Sequence, residues 1–282
     1  MAFQPTLEQW DAERADFARV LAAIRAIQSA APATLLRLDW LEETICSVGL
    51  CLLTPPEVIY ADKGELVNGS HQGVTQYPIE FARWLRLLAD ERPASYLEIG
   101  CYNGGTACLA AAYLQRFHPE FRALTIDVHP WFLFHAEAAR LIPLDYEAGI
   151  TSYHLRGRVF DAVFVDGCHD FEWMWADYQN VGRAARICGF HDVNNATYFE
   201  NLSLGGSTAC WRWLKETEGG AGIDFLEFFD HPDDNIFGIG VRRKRSGAAR
   251  VRSSAFRRRG LRPVSSAFER SNPLCAGGAL AA

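Results

Sequence analysis

The segment that most constrains the fold is residues 94–112, with the sequence ASYLEIGCYNGGTACLAAA. An apolar stretch ends at Gly100, a turn with a glycine pair at Gly104 and Gly105 follows, and a run of small residues begins at Thr106. This order predicts a strand, a tight turn and a helix, the unit in which an α/β sheet opens a nucleotide-sized crevice. The glycines permit positive φ and close approach of a ligand, and the helix start offers free N–H groups.

The spacing of the glycines argues against a phosphate-binding turn. A dinucleotide fingerprint needs glycine at its first, third and sixth positions, whereas Tyr102 occupies the third position counted from Gly100. A Walker-type loop needs Lys and then Ser or Thr after its last glycine, and Thr106-Ala107 does not supply them. Glu98, near the end of the strand, also disfavours a polyanion and favours a cationic or amino-bearing ligand. An NAD-dependent oxidoreductase is therefore the weakest of the functions that we consider.

Two predicted strands after the turn end in aspartate. Residues 122–126 form an apolar strand before Asp127, and an acidic residue at this point of a βαβ unit accepts hydrogen bonds from ribose hydroxyls. The alternative for Asp127 is a surface residue that caps the next helix. Residues 159–167 are β-branched and aromatic, which is typical of a central parallel strand buried on both faces. This strand delivers Asp166 to the carboxyl edge of the sheet, where ligands bind.

The stretch between these two strands is short. Residues 132–141 are predicted to form a helix and residues 150–155 a strand, which leaves little room for a further helix. The sequence therefore assigns no residues to adenine binding.

A fourth predicted strand, residues 187–190, ends at His191-Asp192. Carboxylates such as Asp166 and Asp192 suit a hard divalent cation like Mg²⁺, which would lower the pKa of a bound hydroxyl. His169 lies at the start of a predicted helix, and its reference pKa of about 6.5 suits a general base. Imidazole at position 191 favours zinc, iron, copper or nickel or has a structural role, so the sequence leaves open whether the site holds magnesium, another metal or none.

Taken together, these motifs resemble class I S-adenosylmethionine (SAM) dependent methyltransferases. The pattern acidic-x-Gly-x-x-x-Gly matches Glu98, Gly100 and Gly104, and the stretch VDGCHDFEWMWADYQN…GFHDVNN is similar to one subgroup of small-molecule O-methyltransferases. That subgroup is related to macrocin-type sugar methyltransferases and to cephalosporin-hydroxylase-like proteins. The likeness implies an α/β fold with a doubly wound, mostly parallel sheet of the methyltransferase-type Rossmann-like class. An N-terminal helical extension and a disordered C-terminal tail are predicted from the residues themselves.

The resemblance also implies roles for individual residues. The cofactor would be SAM, with Mg²⁺ as the expected metal and His169 as the catalytic base. The implied SAM-binding residues are Gln76, Glu98, Gly100, Tyr102, Gly104, Gly105, Asp127 and Asp166. The implied metal ligands are Asp166, His191 and Asp192.

Residues 1–72 are predicted to form a helical region before the methyltransferase domain, which spans residues 73–241. Thr6 and Gln9 have the pattern of a capping box, and apolar residues then recur at helical spacing, with a second helix that ends at Gly49. Such a region packs on the sheet, covers the active site or forms a dimer interface. The sequence leaves these alternatives, and homo-oligomerisation, open.

The charge balance changes sharply at residue 242. Of the 28 Lys and Arg and 34 Asp and Glu in the chain, residues 242–282 hold 11 and one, which leaves the remainder with a net charge of −16. The tail lacks apolar periodicity and is predicted to be disordered. We expect it to be solvated or self-associating, or to bind nucleic acid or an anionic surface electrostatically. Nucleic acid is disfavoured as a partner of the folded region, because a backbone-binding groove needs basic charge.

Composition narrows the remaining possibilities. No apolar run reaches the ~18 residues that a transmembrane helix needs, and early acidic residues interrupt any secretory signal pattern, so we expect a cytoplasmic protein without membrane partners. The eight Cys lack Cys-x-x-Cys spacing, which argues against a zinc ribbon and favours reduced thiols. Cys101 and Cys168 are expected to be small packing residues.

The function predicted from the sequence is SAM-dependent O-methylation of a hydroxyl on a small molecule, such as a sugar or a natural-product intermediate, with assistance from a metal. The alternative is a methyltransferase-like protein that has lost catalysis and serves as a binding or scaffold protein.

Overall fold

A computed structural model describes residues 7–49, 72–194, 206–220, 222–230 and 237–245, with the backbone alone at residues 7–10 and 12. The predicted capping residue Thr6 and the predicted tail beyond residue 245 lie outside the described residues. The described residues up to Lys244 belong to one compact unit.

Seven strands lie in the described part of the chain: β1 (Ser95–Ile99), β2 (Arg122–Asp127), β3 (Leu144–Ala148), β4 (Ala162–Val165), β5 (Ile187–His191), β6 (Ile223–Phe228) and β7 (Ile239–Lys244). They form one sheet in the order β3-β2-β1-β4-β5-β7-β6. Neighbours among β1 to β5 are parallel, whereas β7 is antiparallel to both β5 and β6. The predicted doubly wound, mostly parallel sheet is confirmed. The strand order reverses between the parallel neighbours β1 and β4, and the point of reversal is where a sheet of this kind binds ligands.

Helices cover both faces of the sheet. Those in the described residues are α1 (Leu7–Ser29), α2 (Pro32–Leu35), α3 (Leu38–Val48), α4 (Pro78–Glu91), α5 (Gly105–Leu114), α6 (His135–Ala139), α7 (Phe171–Asp177) and α8 (Gly206–Glu218), with a 3-10 helix at Ser152–Leu155 and a π-helix at Tyr178–Gly182. One apolar core joins the sheet to α1, α3, α4 and α5. A second core joins the other face to α7, the π-helix and α8.

Helix α5 explains why small residues follow the glycine turn. All ten of its residues are buried, and a helix that is apolar all round is one that is covered on every side. It contacts α1 and α4 as well as β2 and β3. The hydroxyl of Tyr113 donates to the carbonyl of Leu35 at 2.7 Å. The glycine turn therefore leads into a fixed, central element rather than into a surface helix.

Helices α1 and α3 bury their apolar faces in the same core as α4 and α5. Phe17, Val20 and Ile24 on α1 are each at most 2% exposed. The side-chain amide of Gln28 donates to the carbonyl of Leu141 at 2.6 Å. Among the alternatives given for the N-terminal region, its described helices follow the first, since they pack in the core beside the sheet.

The sequence misplaced the elements that follow β2. The strand predicted at residues 150–155 is wrong, because β3 precedes it and residues Ser152–Leu155 form a 3-10 helix. The helix predicted at 132–141 is reduced to α6. Strand β3 is an edge strand in which only Leu144 is buried, so it lacks the apolar pattern of a covered strand. Thr151 and His154 instead form a capping box that starts the 3-10 helix.

The last strand also departs from the sequence pattern. Strand β7 continues to Lys244, whereas the predicted domain ended at residue 241 and the predicted disordered tail began at residue 242. Arg242 is 3% exposed, donates to the carbonyl of Ala185 at 3.2 Å and places its guanidinium 5.9 Å from the ring centre of Tyr178. Arg242, which the sequence assigned to the basic tail, is therefore a buried residue of strand β7.

Among the described residues, no helix has the length and apolar character to cross a membrane.

Candidate functional site

The glycine turn joins β1 to α5 at the carboxyl edge of the sheet. Gly100 (φ +83°), Tyr102 (φ +47°) and Gly104 (φ +82°) all have a left-handed backbone, which glycine adopts without strain and tyrosine does not. The backbone N–H of Tyr102 donates to Oδ2 of Asp127 at 2.9 Å, and its ring meets that of Trp131 edge-on at 5.1 Å. Contacts from the β2 side therefore hold the turn in this conformation.

The space that side chains would occupy at these glycines is filled by the protein. A Cβ at Gly100 would lie 2.3 Å from the carbonyl oxygen of Asp166, and one at Gly104 would lie 2.5 Å from the ring of Phe132. Both separations are far inside van der Waals contact. The glycines are therefore required for packing of the turn against the end of β4 and against Phe132, a reason that the sequence analysis did not foresee.

Asp127 ends β2 beside the turn and is 8% exposed. Its Oδ1 accepts the N–H of His129 at 2.9 Å, and its Oδ2 accepts the N–H of Tyr102. Burial raises the pKa of Asp127, although both hydrogen bonds act in the opposite direction. A carboxylate has about four acceptor positions, so positions remain for further donors, such as a pair of hydroxyls.

Glu98 lies inside the domain rather than at its edge. It is 0% exposed, and its two carboxyl oxygens accept the hydroxyl of Tyr96 at 2.9 Å and that of Thr106 at 2.8 Å. Burial first, and the negative charge of Asp166 second, raise the pKa of Glu98 to about 8. Glu98 therefore connects β1 to the first turn of α5, and it presents no exposed oxygen to a ligand.

The segment before α4 lies against the glycine turn. A Cβ at Gly105 would be 1.9 Å from the carbonyl oxygen of Gly73. Gln76 follows, is 0% exposed, and donates through Nε2 to Oδ2 of Asp166. Its Oε1 is buried without a hydrogen-bond partner among the described residues. Leaving a buried acceptor unpaired is costly, so Gln76 Oε1 marks a position for a further donor.

Strands β4 and β5 bring together two aspartate–histidine pairs. His191 Nδ1 lies 2.9 Å from Oδ1 of Asp166 and 3.4 Å from Oδ1 of Asp192. His169 Nδ1 pairs with Oδ2 of Asp192. The two imidazole rings are perpendicular, with centres 6.3 Å apart. The four residues that the sequence analysis placed at these strand ends are therefore in mutual contact.

The two pairs differ in their access to solvent. The side chain of His169 is 28% exposed, whereas that of His191 is 3% exposed. Burial lowers the pKa of His191, but the charges of Asp166 and Asp192 raise it more, to about 9. Burial also lowers the pKa of His169, and the charge of Asp192 and the hydrogen bond to it raise that pKa above its ordinary value. His169 is the member that a substrate can reach.

Backbone structure fixes the partner of His169. Helix α7 begins at Phe171. His169 therefore lies in the loop before the helix, whereas the sequence predicted it at the start of the helix. Asp192 has a left-handed φ of +59°, and its carbonyl accepts the hydroxyl of Ser207 on α8 at 2.8 Å. The second core thereby orients the carboxylate that holds His169.

Cys168, next to His169, is disulfide-bonded, so the expectation of a reduced thiol is wrong at this position. Cys101 is 3% exposed and is a packing residue. The free cysteines among the described residues are Cys46, Cys101, Cys108, Cys188 and Cys210.

Glu80 is a buried carboxylate behind the site that the sequence analysis missed. It is 1% exposed and accepts the N–H groups of Asp230 at 2.9 Å and Gly238 at 3.1 Å. Burial raises the pKa of Glu80 to about 8, while the charge of His191 lowers it. The sequence does contain a feature that could have indicated this buried carboxylate. Glu80 is a single acidic residue between apolar neighbours in the first turn of α4.

The chemistry of these side chains fits some ligands and not others. Carboxylates at the ends of β2 and β4, with the open acceptor on Gln76, suit the ammonium and hydroxyl groups of a cofactor such as SAM and oppose a polyphosphate. A metal ion fits less well. In the residues that the structure describes, no group of three or more His, Cys, Asp or Glu side chains is arranged to hold one, since the carboxylates of Asp166 and Asp192 are paired with imidazoles.

Comparison with known proteins gives partial overlaps with solved methyltransferases. The O-methyltransferase TomG from Streptomyces achromogenes, involved in tomaymycin synthesis and solved with SAM, is 17% identical, with a TM-score of 0.46 over 61% of this chain and 82% of TomG. The methyltransferase PaMTH1 from Podospora anserina, bound to S-adenosylhomocysteine (SAH), is 18% identical, with a TM-score of 0.46 over 87% and 100% of the two chains. An SAH complex of an O-methyltransferase from Bacillus cereus is 12% identical, with a TM-score of 0.45 over 77% and 93%.

No protein-family model and no curated protein matches the chain. Because the overlaps with solved structures are partial, the order and direction of the seven strands define the fold.

Proposed function

We propose that this protein is a SAM-dependent O-methyltransferase that acts on a hydroxyl of a small molecule, such as a sugar or a natural-product intermediate. The observation that supports this most is the arrangement of neighbouring strand ends. Strand β2 carries Asp127, β1 carries the glycine turn, and β4 and β5 carry the two Asp–His pairs. A cofactor-binding half and a proton-transfer half therefore share one sheet edge. The narrower likeness to macrocin-type and cephalosporin-hydroxylase-like proteins rests on the sequence motifs.

The residues that would hold SAM act in three ways. Asp127 has acceptor positions left for the ribose hydroxyls, and Gln76 Oε1 with Asp166 suits the ammonium of the amino-acid end. Glu98 acts indirectly, because it fixes the first turn of α5 from inside the domain. The turn itself contributes the backbone of Gly100, Tyr102, Gly104 and Gly105. Bound SAM supplies an electrophilic methyl group for transfer to oxygen.

His169 is the proposed base. Its Nδ1 pairs with Asp192, which leaves Nε2 to take the proton of the acceptor hydroxyl as the new O–C bond forms and the C–S bond breaks. Asp192 orients the ring and stabilises the imidazolium that results. General base catalysis of this kind contributes about 10²–10⁴-fold in rate. Because the pKa of His169 is raised, kcat should increase with pH through a pKa above that of a free imidazole.

Metal assistance was part of the prediction from sequence. The present geometry gives that step no support, since Asp166 and Asp192 already bind imidazole nitrogens. The reaction proposed here therefore uses no metal ion.

Calorimetry tests the cofactor assignment. SAH should bind with a dissociation constant in the micromolar range, whereas NAD⁺ should give no saturable heat. Labelled SAM, incubated with a panel of sugars and phenolic natural-product intermediates, should transfer its methyl group to oxygen in at least one of them. Saturable binding of NAD⁺ without binding of SAH would overturn the proposal.

A second candidate function is a methyltransferase-like binding protein without catalysis. One observation favours it: Phe132 fills the space beside Gly104, where a cofactor would approach the turn. The same calorimetry separates the two, because failure to bind either SAH or NAD⁺ supports the non-catalytic protein.

A further inference from the structure

The side chains that a divalent cation would need at the β4–β5 edge are already bound to one another. We propose that His191 keeps oxygen-liganded divalent cations such as Mg²⁺ and Mn²⁺ out of this site, so that the working protein holds neither ion there. This inference rests on the proposed function in one respect only, which is that methyl transfer is the activity whose metal dependence is measured.

The first argument is the occupation of the carboxylates. Asp166 and Asp192 present four oxygens, and each of them lies within 3.4 Å of a side-chain nitrogen. Gln76 donates to one oxygen of Asp166 and His169 pairs with one oxygen of Asp192, while His191 Nδ1 lies at ion-pair distance from the other oxygen of each carboxylate. Each carboxylate keeps acceptor positions for a hydrogen-bond donor such as an ammonium group, but an ion that bridged Asp166 and Asp192 would have to displace His191.

The second argument is the position of His191. Its Nδ1 lies between the two carboxylates, at 2.9 Å from one and 3.4 Å from the other. That is the place where an ion bridging Asp166 and Asp192 would have to be. The ring is held there, because it stacks on Phe237 with centres 5.4 Å apart and an angle of 22°.

The third argument is the limited space for water, since the cavity lined by Asp166, His169 and His191 has room for about one water molecule. Mg²⁺ gives up its water ligands reluctantly and usually keeps several of them when bound. The side chains of Asp166, His191 and Asp192 are 8%, 3% and 4% exposed. A partly hydrated ion does not fit between groups that are this deeply buried.

A metal titration of the full-length protein tests the proposal directly. Wild-type protein, treated with EDTA and dialysed, should show no saturable binding of Mn²⁺ by electron paramagnetic resonance and no saturable heat with Mg²⁺. Methyl transfer should be unchanged by EDTA. Stoichiometric Mn²⁺ binding that Asp166→Asn removes would overturn the proposal, as would loss of turnover in EDTA with recovery on addition of Mg²⁺.

A single substitution should create the missing site. In His191→Asp a third carboxylate replaces the imidazole, and oxygen ligands then converge where Nδ1 was, which suits Mg²⁺ or Mn²⁺. We expect at least tenfold tighter Mn²⁺ binding than in the wild type. His154→Asp, which adds a carboxylate at an exposed position outside the site, should leave Mn²⁺ binding unchanged.

The outcomes are separable. If His191→Asp folds, as judged by its thermal melt, and gains no Mn²⁺ affinity, His191 is not what excludes the metal and the proposal fails. If His191→Asp does not fold, the wild-type titration alone decides. SAH binding is measured on the same samples, so absence of SAH binding counts against the proposed function and leaves the metal result intact.

Discussion

The two halves of the sheet edge hold their acidic groups in different ways. On the cofactor half, formed by β1, β2 and the glycine turn, Asp127 is held by backbone N–H groups and Glu98 by two hydroxyls inside the domain. On the reaction half, formed by the ends of β4 and β5, Asp166 and Asp192 are held by titratable imidazoles. Only His169 among these side chains is substantially exposed, at 28%.

This difference indicates that the cofactor half fixes the shape of the site, whereas the reaction half supplies the groups that exchange protons. On the cofactor half, backbone donors hold Asp127 and uncharged hydroxyls hold Glu98, so this half contributes mainly the shape of the site. The reaction half depends on side chains that a single substitution can remove or change in charge. Substitutions on the cofactor half should therefore act on stability and SAH binding, whereas those of His169 and Asp192 on the reaction half should act on turnover.

The largest expected effect is on the reaction half. His169→Ala removes the only exposed imidazole of the two pairs and should lower kcat for methyl transfer by about 10²–10⁴-fold. The dissociation constant of SAH should change by less than about twofold, because His169 contacts only the reaction half.

His154→Ala is the matched control, since this histidine is also exposed but lies in the 3-10 helix, and its kcat should equal that of the wild type. Comparable loss of SAH affinity and kcat in His169→Ala would contradict the separation of the two halves.

The next largest effect is on the stability of the cofactor half. Gly100→Ala places a Cβ 2.3 Å from a backbone oxygen at φ +83°, whereas Gly149→Ala meets nothing within 4 Å at φ +76°. Both substitutions carry the cost of a left-handed alanine, of about 1–3 kcal/mol. Overpacking should lower the free energy of unfolding of Gly100→Ala by about 1–3 kcal/mol more. Denaturant unfolding of the two variants measures the difference, and equal values would mean that the turn is not packed as described.

The third effect varies with pH and is smallest near the ordinary pKa of the carboxyl concerned, which is that of the buried Glu98. Its pKa of about 8, against an ordinary value of 4.5, means that the folded protein holds a proton that the unfolded chain releases between these limits. The stability that comes from this bound proton is complete below the ordinary pKa of 4.5. The free energy of unfolding then falls by about 1.4 kcal/mol per pH unit as the pH rises toward the folded-state pKa of about 8. Glu98→Gln, which resembles the protonated acid, should therefore gain stability relative to the wild type over this pH window.

Urea unfolding at several pH values measures this trend. Glu120→Gln, at an exposed position, should show no pH-dependent difference from the wild type. A constant difference between Glu98→Gln and the wild type across the window would show that Glu98 is ionised in the fold.

Local patterns predicted much of this architecture. The apolar runs before Asp127 and Asp166 marked strands, and because parallel strands end at one edge, the sequence also indicated which polar residues would gather there. The same reasoning failed at β3, where an edge strand with one buried residue has no apolar pattern to detect. It failed again at Arg242, because burial of an arginine depends on partners far along the chain.

The sequence by itself determined the order of strands and helices, the position of the glycine turn and the set of polar residues at the strand ends. Those features depend on periodicity and on backbone preferences within a few residues. Only the tertiary structure decided that Glu98 faces inward, that Glu80 lies behind His191, and that each aspartate of the reaction half binds an imidazole. The direction in which a side chain points, and the group it pairs with, depend on packing between elements distant in sequence, which no local pattern records.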